Sequence, residues 1–157
     1  MTHKGCVWDY PRPPRLEPTR RRIRVVFGGV TIAETTNALR ILETSHPPVY
    51  YLPLDDVRDA HLVASAGLST FCEWKGVASY LDVVAGRHTA ARAAWTYRAP
   101  SAAYQALADH VAFYAEPMEA CYVDDQRVRA QLGQFYGGWI TDDIVGPFKG
   151  PPATRGW

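Results

Sequence analysis

Lysine, cysteine and methionine are all scarce in this sequence. The three cysteines, Cys6, Cys72 and Cys121, are odd in number and share no short spacing. That argues against a disulfide framework and against a CxxC zinc knuckle. The histidines His3, His46, His61, His88 and His110 are scattered, with no HxH or HExxH spacing, so metal catalysis has no ligand set to start from. There is no GxxxxGK[ST], no GxGxxG and no GxSxG run, the signatures of phosphate cradles and nucleophile elbows. The carboxylate pairs Asp55-Asp56, Asp124-Asp125 and Asp142-Asp143 are adjacent, unlike the D-x-D of two-metal phosphoryl chemistry. No apolar run approaches the ~18 residues that span a bilayer, and the N-terminus lacks a signal-peptide core. These absences predict a soluble, reduced, cytoplasmic protein with no metal, no cofactor and no membrane partner. Arginine outnumbers lysine 14 to 3, which reads as the mark of a GC-rich bacterial genome rather than of any chemistry.

The 157 residues suit one domain with a sizeable core. Apolar residues at 47% and charged residues at 21% are ordinary for a globular protein, and the net charge of +1 gives the whole chain no pull towards nucleic acid. Charge is nevertheless uneven. Residues 1–22 hold Lys4, Arg12, Arg15, Arg20, Arg21 and Arg22 against Asp9 and Glu17. With four prolines, this stretch reads as a basic extended arm rather than a packed element. Trp8 and Tyr10 suit docking of the arm onto the body or onto a neighbouring subunit, which leaves a homodimer open.

Order begins at Ile23. Two β-rich runs, Ile23–Phe27 and Val30–Glu34, flank Gly28-Gly29 and predict a hairpin. A strand over Ala38–Thr44 places Leu39, Ile41 and Glu43 on one face, an unusual position for a carboxylate. Val49–Leu52 is a short aromatic strand ending at Pro53. Leu54–Ala66 reads as one or two helical turns capped by Asp55 or Asp56. Strands follow near Ser69–Cys72, Val77–Val84 and Ala91–Tyr97. Ser101 reads as the N-cap of a helix whose Tyr104, Leu107, Ala108 and Val111 recur at helical spacing. Val111–Tyr114 is a strand, and Glu119–Val123 and Val128–Ala130 flank a second hairpin turn. From about residue 131 to 150 the chain should wrap the body irregularly, and residues 151–157 form a tail. The expected class is mainly β, in a single domain spanning 23–150.

The richest stretch is Thr70–Pro100, which holds Cys72, Trp74, Lys75, Tyr80, Trp95 and Tyr97. In a continuous strand Cys72, Trp74, Ala78 and Tyr80 share a face and Lys75 points away, unless a bulge at Gly76 re-aims it. A lysine among apolar and aromatic groups is a candidate base or Schiff-base amine with a lowered pKa. It can equally be a snorkelling edge residue. Glu43 is the natural partner of Lys75 or Arg98, either as a base or as a neutralising group. Cys72 has no nearby histidine and reads as a small buried hydrophobe. Trp74, Tyr80, Trp95 and Tyr97 serve either as core aromatics or as a ligand cage.

Taken in order, Arg24-x-x-Phe27-Gly28, Ile32-Ala33-Glu34, Glu43, Tyr50-Tyr51-x-Pro53, Cys72-x-x-Lys75-Gly76-x-Ala78-x-Tyr80, Ala94-Trp95-x-Tyr97 and Phe113-Tyr114 resemble the DUF427 family. Gly138-Trp139 and Gly146-Pro147-Phe148-Lys149-Gly150 resemble the tail of some members, so the likeness covers roughly 23–150. Members sometimes carry a nucleotidyltransferase-like label, but this chain lacks the Gly-Ser and D-x-D elements of such enzymes. The resemblance implies a β-tent (Mss4-like) two-sheet fold with one or two short helices, here without zinc knuckles. It also implies a groove between sheets lined by Lys75, Glu43, Tyr80, Trp95 and Tyr97.

Three functions remain open at this level. One is binding of a small anionic or carbonyl-bearing molecule in an aromatic groove formed by Tyr51, Trp74, Tyr80, Trp95 and Tyr97, with Lys75 and Arg98 as cations. Another is an enzyme pairing Lys75 with Glu43 or a tyrosine as acid and base. The third is a protein or nucleic-acid interaction module acting through Arg20–Arg22, although nucleic acid is not the expected partner.

Overall fold

Prolines at 11, 13, 14 and 18 keep the N-terminal segment extended, yet it lies on the body rather than apart from it. The computed structural model describes residues 5–132, 136–150, 154 and 157, so His3, Lys4 and most of the 151–157 tail lie outside the described residues. Strand β1 (Gly5–Cys6) runs parallel to a C-terminal segment, with Gly5 opposite Ile144. Val7 is fully buried. Strand β2 (Arg15–Pro18) pairs antiparallel with residues 39–42. Its proline is tolerated because the strand forms a sheet edge. From Gly5 onward the segment read as an extended arm thus lies paired with the body through β1 and β2.

The Gly28-Gly29 turn joins β3 (Ile23–Phe27) to β4 (Val30–Thr35), as the alternation predicts. Strands β5 (Leu39–Leu42) and β6 (Val49–Pro53) follow. Next come β7 (His61–Cys72), β8 (Gly76–Ala85) and β9 (His88–Thr96), an antiparallel meander. Strand β10 (His110–Phe113) pairs with both β9 and β6. It thereby joins two groups of strands into one seven-stranded sheet of order β2-β5-β6-β10-β9-β8-β7. Strands β11 (Ala120–Val123) and β12 (Gln126–Arg127) extend the first hairpin into a four-stranded sheet. Two-residue strands complete the chain: β13 (Arg129–Ala130) pairs with β14 (Trp139–Ile140), and β15 (Ile144–Val145) takes β1. The chain is mainly β, built from several sheets.

Both expected helices shrink to 3-10 turns. Leu54–Asp56 is one such turn with Pro53 at the cap position and no side-chain cap, so neither Asp55 nor Asp56 caps a helix. From His61 onward the chain pairs residue by residue with β8, and tertiary pairing overrides a weak local propensity. Ala102–Leu107 is broken at Tyr104 (φ −121°, ψ 20°). There the Tyr104 hydroxyl donates to the Pro14 carbonyl at 2.5 Å, holding the ring in the core. The second hairpin does turn at Asp124-Asp125, both at positive φ. Its return strand is Gln126–Arg127 rather than 128–130, because Arg129–Ala130 leaves to pair with β14. Among the described residues no helix is long and apolar enough to cross a membrane.

Period-two alternation buries both faces of the seven-stranded sheet. Tyr50, Leu52, Leu81, Val83, Val111 and Phe113 face the four-stranded sheet and pack with Ile23, Val25 and Ile32. Tyr51, Ala78, Trp95, Tyr97 and Ala112 face the other way and form a second cluster with Tyr104 and Leu107. Trp139 reaches the first cluster from the C-terminal wrap. It is 1% exposed, lies 5.6 Å from the Tyr50 ring and donates its indole N–H to the Phe113 carbonyl at 3.0 Å. Truncating a buried tryptophan costs about 3–5 kcal/mol. Trp139→Ala should lower the unfolding free energy by that amount in urea titrations followed by circular dichroism. Phe71→Ala, at a ring 74% exposed, should change it by less than about 0.5 kcal/mol.

Candidate functional site

Cys72–Tyr80 is not one strand. A turn over 73–75 separates β7 from β8, and Gly76 leaves it at φ +107°, a left-handed conformation that favours glycine. Lys75 therefore does not point away from Cys72 and Tyr80, as continuous alternation requires, but lines the same cavity. Ser101 fixes the turn. Its backbone N–H donates to the Lys75 carbonyl at 2.9 Å and its hydroxyl to the Trp74 carbonyl at 2.5 Å. Ser101 thus acts as a clamp on Lys75 and caps no helix.

The cavity has a volume of about 290 Å³, near the lower end for small-molecule sites. It lies on one face of the seven-stranded sheet, opposite the four-stranded sheet, and so is not the groove between two sheets that the resemblance implies. Its floor is aromatic. The Trp95 indole N–H donates to the Tyr51 hydroxyl at 3.3 Å, and the two rings meet edge-on at 6.3 Å. Tyr114 packs against Trp95 at 4.6 Å, and the Tyr80 hydroxyl bonds Thr70 at 3.0 Å. Across the floor runs the C-terminal wrap, where Gly137 lies against Trp95 so closely that a Cβ there would overlap the indole.

Seven sequence-derived candidates, Glu43, Tyr51, Trp74, Lys75, Tyr80, Trp95 and Tyr97, line this one cavity. Arg98 does not: it is exposed on the loop after β9. Glu43 shares the cavity face with Ile41, as alternation predicts, but it is not the ion-pair partner of Lys75. Its carboxylate lies 3.5 Å from the Arg12 guanidinium and 3.5 Å from His46 Nε2. Among the described residues no carboxylate stands within ion-pair distance (4.0 Å) of the Lys75 ammonium. That ammonium sits 5.9 Å from the centroid of the Tyr97 ring.

Burial works against the charge of Lys75, but the Glu43 carboxylate and a hydrogen bond with Cys72 favour it, and the pKa lies above the ordinary lysine value. The expected lowered pKa is overturned, and the amine is a cation near neutral pH. Burial pushes the Tyr51, Tyr97 and Tyr114 hydroxyls up, so these phenols stay protonated.

Sequence reasoning missed His46, Gln131, Tyr136 and Lys149, which also line the cavity. Gln131 orders them. Its carboxamide oxygen accepts from the Gly138 N–H at 3.0 Å, and its nitrogen donates to the Lys149 carbonyl at 2.6 Å. The second amide hydrogen then meets His46 Nδ1 at 3.2 Å. His46 must accept there, which assigns its proton to Nε2, facing Glu43. Both imidazole nitrogens are engaged, and neither offers a free lone pair to the cavity. Among the described residues no group of three or more His, Cys, Asp or Glu side chains is placed to share a metal ion.

His46 has its pKa pushed down to about 4, by burial first and then by Lys149, Arg12 and Lys75. The unfolded value is about 6.5. Between those limits the unfolded chain binds the extra proton, so stability is lost as the pH falls from about 6.5 to about 4. The loss due to His46 is on the order of 3 kcal/mol. Asp82, hydrogen-bonded by Ser65, and Asp124, bonded by Arg21, are held below the ordinary carboxylate range, so the stability they add is lost mainly towards lower pH. Urea midpoints across the window should fall in the parent protein and fall less in His46→Gln, which never charges. Equal slopes would show that His46 is not the source.

No curated protein matches the chain. The profile of a family described as a domain of unknown function (DUF427) matches residues 15–124. The match starts at β2 and ends in the turn after β11. It contains Glu43, Tyr51, Lys75, Tyr80, Trp95 and Tyr97 but stops before Gln131, Tyr136 and Lys149, short of the span to 150 that the motifs suggested. With its aromatic floor and its central lysine inside the matched span, the chain belongs to the DUF427 family.

Proposed function

We propose that this domain binds a small anionic molecule, its charged group at Lys75 and its flat body against Trp95 and Tyr97. The observation that carries this reading is a charged, partly buried lysine that faces an aromatic cavity and has no carboxylate partner among the described residues. A cation in such a place gains most from an anion that comes with the ligand. The aromatic faces add apolar contact for a planar body. Two facts favour binding over lysine catalysis. A Schiff base needs the neutral amine, which a raised pKa makes scarce. The protonated tyrosines and the doubly engaged His46 supply no base beside it. An interaction surface on the basic segment has less support, because Arg21 pairs with Asp124 and Asp143, and Arg22 with Glu34 and Asp125.

Benzoate and benzamide, which share a shape and differ in charge, test the proposal by calorimetric titration. Benzoate should bind more tightly than benzamide. Lys75→Met should weaken benzoate by about tenfold or more, the value of one charge-assisted hydrogen bond, while Lys75→Arg keeps most of the affinity. Equal binding of the two probes, or benzoate affinity that survives Lys75→Met, would overturn it.

A further inference from the structure

We infer that Lys149 is a second anion-binding residue of this cavity, and that the ligand it serves carries two negative charges. The inference rests on the anion-binding reading of Lys75 and adds the charge of the ligand to it.

Side-chain usage gives the first argument. Among the described residues every salt bridge takes an arginine or a histidine as its cation. The chain has only three lysines, and the two that are described, Lys75 and Lys149, both line the one cavity. Arginine neutralises the protein's own carboxylates, whereas these two ammonium groups are left to face the cavity space. Each lies near a tyrosine ring, Lys75 at 5.9 Å from Tyr97 and Lys149 at 5.4 Å from Tyr136. A compact ammonium on a flexible stem suits an incoming anion better than it suits a fixed bidentate pair.

The second argument is placement. Lys149 belongs to the irregular wrap, where a side chain has little reason to be held, yet its backbone is bonded on both sides. Its N–H donates to the Ser45 carbonyl at 2.8 Å and its carbonyl accepts from Gln131 at 2.6 Å. Gln131 in turn meets His46, which faces Glu43. The same bonds that order the wall of the cavity therefore aim Lys149 into it. Lys149 and Lys75 both act on His46 to disfavour its protonation, so their charges reach the same part of the site. Two ammonium groups on one cavity lining, neither within ion-pair distance of a carboxylate among the described residues, offer a dianion one more cation than a monoanion can use.

The test compares benzoate, with one charge, to phenyl phosphate and isophthalate, with two, at about pH 8, above the second pKa of a phosphate monoester at roughly 6. At least one dianion should bind the parent protein about tenfold or more tightly than benzoate, as one further charged hydrogen bond gives. Lys149→Met should erase that advantage by weakening the dianion about tenfold more than it weakens benzoate, while Lys149→Arg retains it. The bonds that hold Lys149 are backbone bonds, so an unchanged circular dichroism spectrum is expected for both variants. No preference for a dianion, or a preference that survives Lys149→Met, overturns the inference while leaving benzoate binding at Lys75 intact. Failure of all three anions to bind overturns both proposals together.

Discussion

A buried carboxamide holds the C-terminal wrap on the sheet. Gln131 is 4% exposed, and its oxygen can only accept while its nitrogen can only donate. Gly138, Lys149 and His46 must each present the complementary group, and they do. An unpaired buried polar atom costs about 1–3 kcal/mol. Beside this amide, the described part of the wrap is held by two-residue strands and by the buried Trp139. Closure of the cavity, the tautomer of His46 and the position of Lys149 are thus consequences of one amide.

The cavity exists because the large sheet is covered on both faces. One face meets the four-stranded sheet and fills with aliphatic side chains. The other receives no second sheet; there Tyr51, Trp95 and Tyr97 pack with Tyr104 and Leu107, and Gly137 of the wrap lies against Trp95. Two-residue strands and single aromatic rings cover a surface less completely than a sheet does. The space left between them is the site. Gly137 sets how close the wrap comes, since any side chain there would collide with Trp95.

Charge follows side-chain chemistry. Arginines fix the N-terminal segment and the turns through pairs such as Arg21 with Asp124 at 2.8 Å and Arg40 with Glu17 at 2.6 Å. Glu43 pairs with Arg12 at 3.5 Å, so the carboxylate that alternation brings to the cavity face forms no salt bridge with the cavity lysine. Within the basic segment Arg12, Arg15, Arg21 and Arg22 pair with carboxylates once folded. Local charge counts record composition, whereas free charge depends on what each guanidinium finds within reach.

Mainly-β character, the Gly28-Gly29 hairpin, the turn at Asp124-Asp125 and the face shared by Ile41 and Glu43 were legible in the chain, because turn glycines and period-two alternation are local properties. The aromatic strands and Lys75 were legible as a cluster for the same reason. The helical turns read over 54–66 and the helix read from Ser101 to about Asp109 or His110 shrink to 3-10 turns, since pairing with β8 and the reach of Tyr104 to Pro14 lie far off in sequence. His46, Gln131 and Lys149 were invisible as site residues, being separated by up to about a hundred positions and joined only through hydrogen bonds. The scarcity of lysine is plain in the chain, but the placing of two lysines on one cavity is not. Sequence alone determined the glycine and aspartate turns and the alternation of the central aromatic strands. Tertiary structure decided which charges are cancelled and which face the cavity, because the partner of an ion is set by distance in space.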